Sequence, residues 1–248
     1  MKELVYLISA AVLFYAVAVF FMIFKKYRAA ACSIAAGFIV YTVFIFSRGW
    51  MSSLFTTYGI FEGVFFLPWA MALITVLLVF FSAEKEDAVT AVIPLLCFSL
   101  FAAFYPKGII PPTPNKLTVW ADIFFITEPL GHACFYLGGW FAALSIVRKR
   151  KSVDYHSLLV WGFVIFSVSQ VTGAVWAFLG WGSPFRWGAR HFQSAVIWSY
   201  YAAYIHIRFL KGWSEFRKMA YAAAGMAVVA LCTMGAHFKE LSYPRIGM

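Results

Sequence analysis

Apolar runs of about twenty residues, separated by short polar segments, fill this 248-residue chain. A helix rising about 1.5 Å per residue needs roughly that length to cross a hydrocarbon core about 30 Å thick. Eight such runs are present, at 4–24, 30–47, 61–82, 88–105, 121–146, 156–180, 191–210 and 216–237. None alternates apolar and polar residues with the short period of a barrel strand. The pattern predicts an all-α protein, a polytopic membrane helix bundle of about eight transmembrane helices. The whole chain, 1–248, reads as a single integral membrane domain, with no soluble domain, low-complexity tract or internal repeat. A cleaved signal peptide is not expected, because the first run is too long for an h-region and lacks a small-residue cleavage site.

Charge adds a direction. Lys25, Lys26 and Arg28 follow the first run, Arg148 to Lys151 follow the fifth, and Arg208, Lys211, Arg217 and Lys218 lie between the last two. If the spans alternate, these clusters fall on one side, which the positive-inside rule makes cytoplasmic. Both termini are then outside, as is the segment 176–191 between the sixth and seventh runs, in a multi-pass protein of the cell inner (cytoplasmic) membrane. The net charge of +10 is therefore read as a topology signal that also favours membrane lipid, and no nucleic-acid partner is expected. A composition of 63% hydrophobic and 12% charged residues excludes an ordinary soluble domain.

Two outward segments stand out. Tyr105 to Asp122 carries four of the nine prolines, which forbid a regular helix and predict an extended strap. The other reads VWAFLGWGSPFRWGARHF, Val175 to Phe192, and concentrates Trp176, Trp181 and Trp187 with Arg186, Arg190 and His191. Cys32, Cys97, Cys134 and Cys232 are dispersed, without a C-x-x-C pair, and read as small apolar fillers. The histidines carry more information, because a membrane makes imidazole costly. His132, His191 and His237 lie toward the outer side, His206 and His156 toward the cytoplasmic side, and His156 beside Asp154 reads as a solvated loop residue. Neutral imidazole is the usual axial ligand of haem iron, an arginine fork suits haem propionates, and aromatic side chains suit its faces. The same Trp and Arg residues are also common membrane-interface anchors. Glu62 and Glu128, at or within apolar runs, each need a cation, a proton or a hydrogen-bond partner. Glu128, followed by Pro129 and one turn before His132, suits a kinked proton or quinol site.

Gly173, Trp176, Ala177, Trp181, Gly182 and Trp187, followed by Trp198, Tyr204, His206 and Arg208, resemble in register the tryptophan-rich signature of the CcsA/ResC/CcmC-type cytochrome c biogenesis family. Gly235 to His237 is similar to the G-L-H that closes the family's last span. The resemblance covers the chain from about Trp120 onward. It implies a membrane protein that holds non-covalent, b-type haem at the outer face in its tryptophan-rich (WWD) loop and delivers it for cytochrome c maturation. The implied partners are apocytochrome c and a CcsB/ResB-type membrane subunit; the implied enzyme is a cytochrome c haem lyase or synthase. By position, His237 matches an outer haem ligand and His206 a ligand within the membrane.

The chain also departs from that signature. Gly188 stands at its Asp, Arg190 at its Lys, His191 at its Glu and Phe185 at one Trp. LGHACF, Leu130 to Phe135, aligns so that Phe124 occupies the expected first outer ligand position and His132 lies eight residues deeper, about 12 Å along a helix. His132, His237 and His206 are thus the haem-iron candidates, with His191 as a replacement ligand. Trp176, Trp181, Trp187, Arg186 and Arg190 are the remaining cofactor-binding candidates. Two alternatives remain at this level. One is a haem b electron carrier that oxidises quinol, with quinone as a second ligand and multihaem cytochrome c subunits as partners. The other is a relative that binds another membrane protein without a cofactor.

Overall fold

The computed structural model describes residues 2–51, 62–105, 117–150, 152–185 and 188–240, and every regular element among them is helical. Helices α1 (Lys2–Ile23), α2 (Tyr27–Met51), α3 (Gly63–Phe81), α4 (Lys85–Val89) and α5 (Val92–Phe104) belong to one compact unit. A second contains α6 (Val119–Arg148), α7 (Tyr155–Trp181), α8 (Ala189–Phe209) and α9 (Glu215–Glu240). The eight expected runs are all helical, the fourth being divided between α4 and α5. Six segments, ending with α7, are long and apolar enough to cross a membrane. Helices α8 and α9 are 21 and 26 residues long, enough to span, but mix apolar positions with polar ones, among them Gln193, Ser194, His206, Glu215 and Lys218. The proline-rich strap expected at 105–122 lies largely outside the described residues, at 106–116.

In the first unit, α1 packs on α2, and α3 contacts both α2 and α5. The break between α4 and α5 has a local cause. The Thr90 hydroxyl donates to the Asp87 carbonyl at 2.6 Å, competing with helical pairing. Pro94 sits in the first turn of α5, where its missing N–H costs little.

In the second unit, α6 lies against both α7 and α9. Its N-terminus is capped by Thr118, whose hydroxyl accepts from the Ala121 N–H at 3.3 Å. Helix α7 ends where Gly182 turns left-handed at φ 71° and its N–H returns to the Phe178 carbonyl at 2.8 Å. The α6–α7 seam depends on close approach. A Cβ built on Gly131 would stand 2.8 Å from the Phe166 Cβ and 3.1 Å from its backbone, and one on Gly162 2.8 Å from the Cys134 Cβ. Without a hydrophobic drive between helices in lipid, such small residues let van der Waals contact hold them together. Tyr201 of α8 then stacks on Phe135 of α6, with ring centroids 3.6 Å apart and planes at 4°.

Candidate functional site

Phe124, Glu128 and His132 recur at four-residue spacing on α6, and so share one helix face. His132 is buried, 9% exposed, and its ring lies 5.0 Å from that of Phe166 on α7. Its Nε2 is buried without a hydrogen-bond partner. Leaving such a group unpaired costs about 1–3 kcal/mol, so a nitrogen held this way in a helix seam calls for an explanation, and a ligand is one. Two turns nearer the N-terminus, Phe124 fills the position where the family resemblance expects an outer histidine. Its ring stacks on Trp176 at 5.8 Å and 23°, and Gly173 faces it so closely that a Cβ there would meet its ring at 2.8 Å.

The tryptophan segment is less of a loop than its glycines suggest. Helix α7 continues through Trp181, and the loop starts at Gly182. Trp176 is a buried side chain, with Phe125 edge-on at 5.6 Å and Trp181 edge-on at 5.1 Å, and its Nε1 also lacks a partner. Trp181 is partly open at the helix end. His191, in the first turn of α8, is half-buried with its ring edge-on to Phe185 at 5.2 Å. Arg190, beside it, is exposed. The structure therefore places His132 beside Phe166, and Trp176 among Phe124, Phe125 and Trp181, along one α6–α7 seam. Arg186 and Trp187 lie outside the described residues, as does the side chain of His237.

His206 is elsewhere. It is exposed on α8, fifteen residues or about 22 Å of helix rise beyond His191. Its Nδ1 lies 2.7 Å from the Ala202 carbonyl of its own helix. A carbonyl only accepts, so Nδ1 carries a proton, and in the neutral ring the lone pair is then on Nε2, the tautomer that ligating histidines use. His156 differs from its reading as a solvated loop residue. It lies in the first turn of α7, half-buried, with Nδ1 3.1 Å from the Tyr204 hydroxyl, because α8 brings that tyrosine across. Beside it, burial raises the Asp154 carboxyl, but the hydroxyl and backbone N–H of Ser157 outweigh burial and hold it below the usual carboxylate range. Among the described residues no group of three or more metal-binding side chains comes together.

Sequence reasoning missed several partners. Glu62, at the start of α3, receives a buried fork from Arg48 of α2, with Nη2–Oε1 2.7 Å and Nε–Oε2 3.3 Å. The Arg48 guanidinium also lies 4.2 Å over the Phe65 ring. The only signal for it was a basic residue near the end of an apolar run. Phe125 and Phe166, which line the walls around Trp176 and His132, had no signal beyond ordinary helical spacing, whereas Phe124 stood out only as the residue at the expected ligand position.

A model of the family described as cytochrome c assembly protein matches residues 57–241 of this chain. The cytochrome c biogenesis protein CcsA of Prochlorococcus marinus strain MIT 9515 is 37% identical over 100 residues, which cover 40% of this chain and 32% of that protein. The CcsA protein of strain MIT 9303 is 34% identical over 104 residues, covering 42% and 32% respectively. The matched part spans about a third of the length of these curated relatives.

Proposed function

This chain belongs to the cytochrome c assembly protein family, and from that membership we propose that it is a multi-pass membrane protein holding non-covalent b-type haem for cytochrome c maturation. The observation that carries this reading is the buried, unpartnered Nε2 of His132 inside an aromatic-walled helix seam. Were haem bound here, His132 Nε2 would be the nitrogen that holds its iron, which would supply a Lewis-acidic centre. The surrounding residues fit that group. Phe166 lies beside the imidazole, while Phe124, Phe125 and Trp176 form a dry wall two turns away on the α6–α7 seam. Arg190, in the positive first turn of α8, is a cation suited to a porphyrin carboxylate. By sequence position Arg186, Trp187 and His237, which lie outside the described residues, and His191 at the start of α8 would be further residues to hold the group.

In this reading the site faces the outer side of the cytoplasmic membrane, and haem passes from it to apocytochrome c. His206 presents Nε2 from an exposed face of α8, in the tautomer a ligand needs. An imidazole on a lipid-facing helix is costly, so this face suits a second subunit of the CcsB/ResB type, which completes an inner ligand pair. The separation of His206 from His191 along α8 also favours a second reading, an electron carrier with haems toward both faces.

The test is the absorption spectrum of the protein purified in detergent from haem-replete cells. The expected result is a low-spin Soret band that His132→Ala largely removes and His156→Ala leaves in place. Wild-type protein without Soret absorbance overturns the reading. Haem that leaves when apocytochrome c and the partner subunit are added supports delivery, whereas stable haem reduced by a quinol analogue supports the electron carrier.

A further inference from the structure

The α8–α9 contact and the first turn of α7 hold a group of oxidisable side chains that the haem reading does not use. Tyr200 and Tyr204, one turn apart on α8, both stack on Tyr221 of α9, with centroids 4.4 and 6.3 Å away and planes at 16° in each pair. Tyr221 also meets Trp213 edge-on at 6.2 Å, and Tyr200 meets Tyr201 edge-on at 5.4 Å. Such spacings are ordinary packing for large rings. What separates the four tyrosines is the partner of each phenol. Tyr200 donates to the Tyr221 carbonyl at 2.6 Å, and Tyr221 donates to the Tyr200 carbonyl at 3.3 Å. The Tyr201 hydroxyl is buried without a partner. Of the four, Tyr204 is the one that meets a base: its hydroxyl lies 3.1 Å from Nδ1 of His156.

That contact has a direction. Tyr204 is fully buried, and among the described residues its hydroxyl has no other hydrogen-bond partner. A proton on Nδ1 would leave the phenol proton buried and unpaired, which folded proteins avoid. The hydroxyl therefore donates, Nδ1 accepts, and the imidazole proton is on Nε2. A phenol gives up an electron readily only when its proton leaves as well, because the oxidised ring is a strong acid. An amide carbonyl accepts a hydrogen bond but is too weak a base to take that proton. An imidazole within about 2.6–3.2 Å can take it.

We propose that Tyr204 is a redox-active tyrosine, with His156 as its proton acceptor and the Tyr221–Trp213 contact as its electron route to water. A one-electron oxidant of the peroxyl-radical class takes the electron and, with a proton from water, becomes a hydroperoxide. The phenol proton moves to His156 Nδ1, leaving a neutral tyrosyl radical beside an imidazolium. An aqueous thiolate then returns the electron through Trp213, which is half-buried in the exposed turn between α8 and α9. The thiolate becomes a thiyl radical, and the proton goes back from His156 to Tyr204. The site removes oxidising radicals from the second unit whether or not haem is held there.

The test uses the full chain in detergent, a flash-generated ruthenium(III) polypyridyl oxidant and electron paramagnetic resonance, with ring-deuterated tyrosine to identify the radical. The expected result is a long-lived tyrosyl signal that disappears in Tyr204→Phe, a variant that keeps the ring and its stacking. Peroxyl radicals from an azo initiator give the same signal. His156→Ala slows its formation at least about tenfold, a conservative share of what a positioned base contributes, and added imidazole restores part of the rate, which a merely structural defect does not allow. Trp213→Phe leaves formation intact and slows decay of the signal in glutathione. A long-lived signal that survives Tyr204→Phe, a formation rate unchanged in His156→Ala, or peroxyl radicals that leave Tyr204 unoxidised overturn the proposal. Decay in Trp213→Phe as fast as in the wild type overturns the electron route.

Discussion

Arg48 and Glu62 show what a membrane demands of a single charged residue. Each is almost fully buried, and together they make a two-point fork rather than a single contact. Attraction between them offsets a large desolvation cost only while both are present. Glu62→Gln removes one charge of this fork while the Arg48 guanidinium stays buried, and we expect it to destabilise the protein by about 3–5 kcal/mol. The double variant Arg48→Met, Glu62→Leu should recover most of that loss, because no charge is then buried alone. Thermal unfolding in detergent, followed by circular dichroism, separates the two outcomes. A Glu62→Gln protein that melts with the wild type would show that the fork is not the partner that matters. A carboxylate within an apolar run announces that some partner exists. It does not say which one, and here the answer lies 14 residues away across a helix contact that periodicity cannot see. The same holds at the candidate site. His132 was visible as an imidazole in a membrane span, but the orphaned state of its Nε2 depends on Phe166, which hydropathy counts only as one more apolar residue.

At the scale of elements, hydropathy located the helices well because the bilayer imposes their length, and it placed α6 within two residues at each end of the 121–146 expected. It blurred the places where side chains intervene in the backbone. The run 88–105 was read as continuous, yet the Thr90 hydroxyl takes up the Asp87 carbonyl and the helix restarts at Val92. Likewise Trp181 looked like a loop residue beside its glycines, whereas α7 runs on until Gly182 supplies the left-handed turn. The α6–α7 seam makes a quantitative test possible. Gly162→Ala puts a methyl group 2.8 Å from the Cys134 Cβ and 2.9 Å from the Phe135 ring, with no room for α7 to retreat unless the seam opens. Overpacking of this kind costs about 1–3 kcal/mol. Because Cys134 and Phe135 immediately follow the turn that carries His132, the same substitution should also reduce retained haem. Gly212→Ala, in open space between α8 and α9, should do neither. Parallel melting and Soret measurements on the two variants check both halves of the expectation.

At the scale of the molecule, the open question is which way the second unit faces, and one helix is enough to decide it. Helix α7 has 27 residues, about 40 Å of rise, more than the hydrocarbon thickness. Its two flanking segments therefore emerge on opposite sides. Before it lie Arg148, Lys149 and Arg150 with Lys151, a cluster that translocates poorly and that the positive-inside rule assigns to the cytoplasm. After it lie Gly182, Ser183 and Pro184, leading toward Arg190 and His191. If the cluster is cytoplasmic, the end of α7 that carries the proposed haem site is outside, the side that the proposed delivery to apocytochrome c requires. Single cysteines at Lys149, exposed at the end of α6, and at Ser183 make the test, in a background lacking Cys32, Cys97, Cys134 and Cys232. A membrane-impermeant thiol reagent applied to spheroplasts should label Ser183→Cys at once and Lys149→Cys only after permeabilisation. The reverse pattern would put Arg190 and the tryptophan-rich segment on the cytoplasmic side. Outward delivery from this site would then be excluded, while the electron-carrier reading, which needs haem near both faces, would survive.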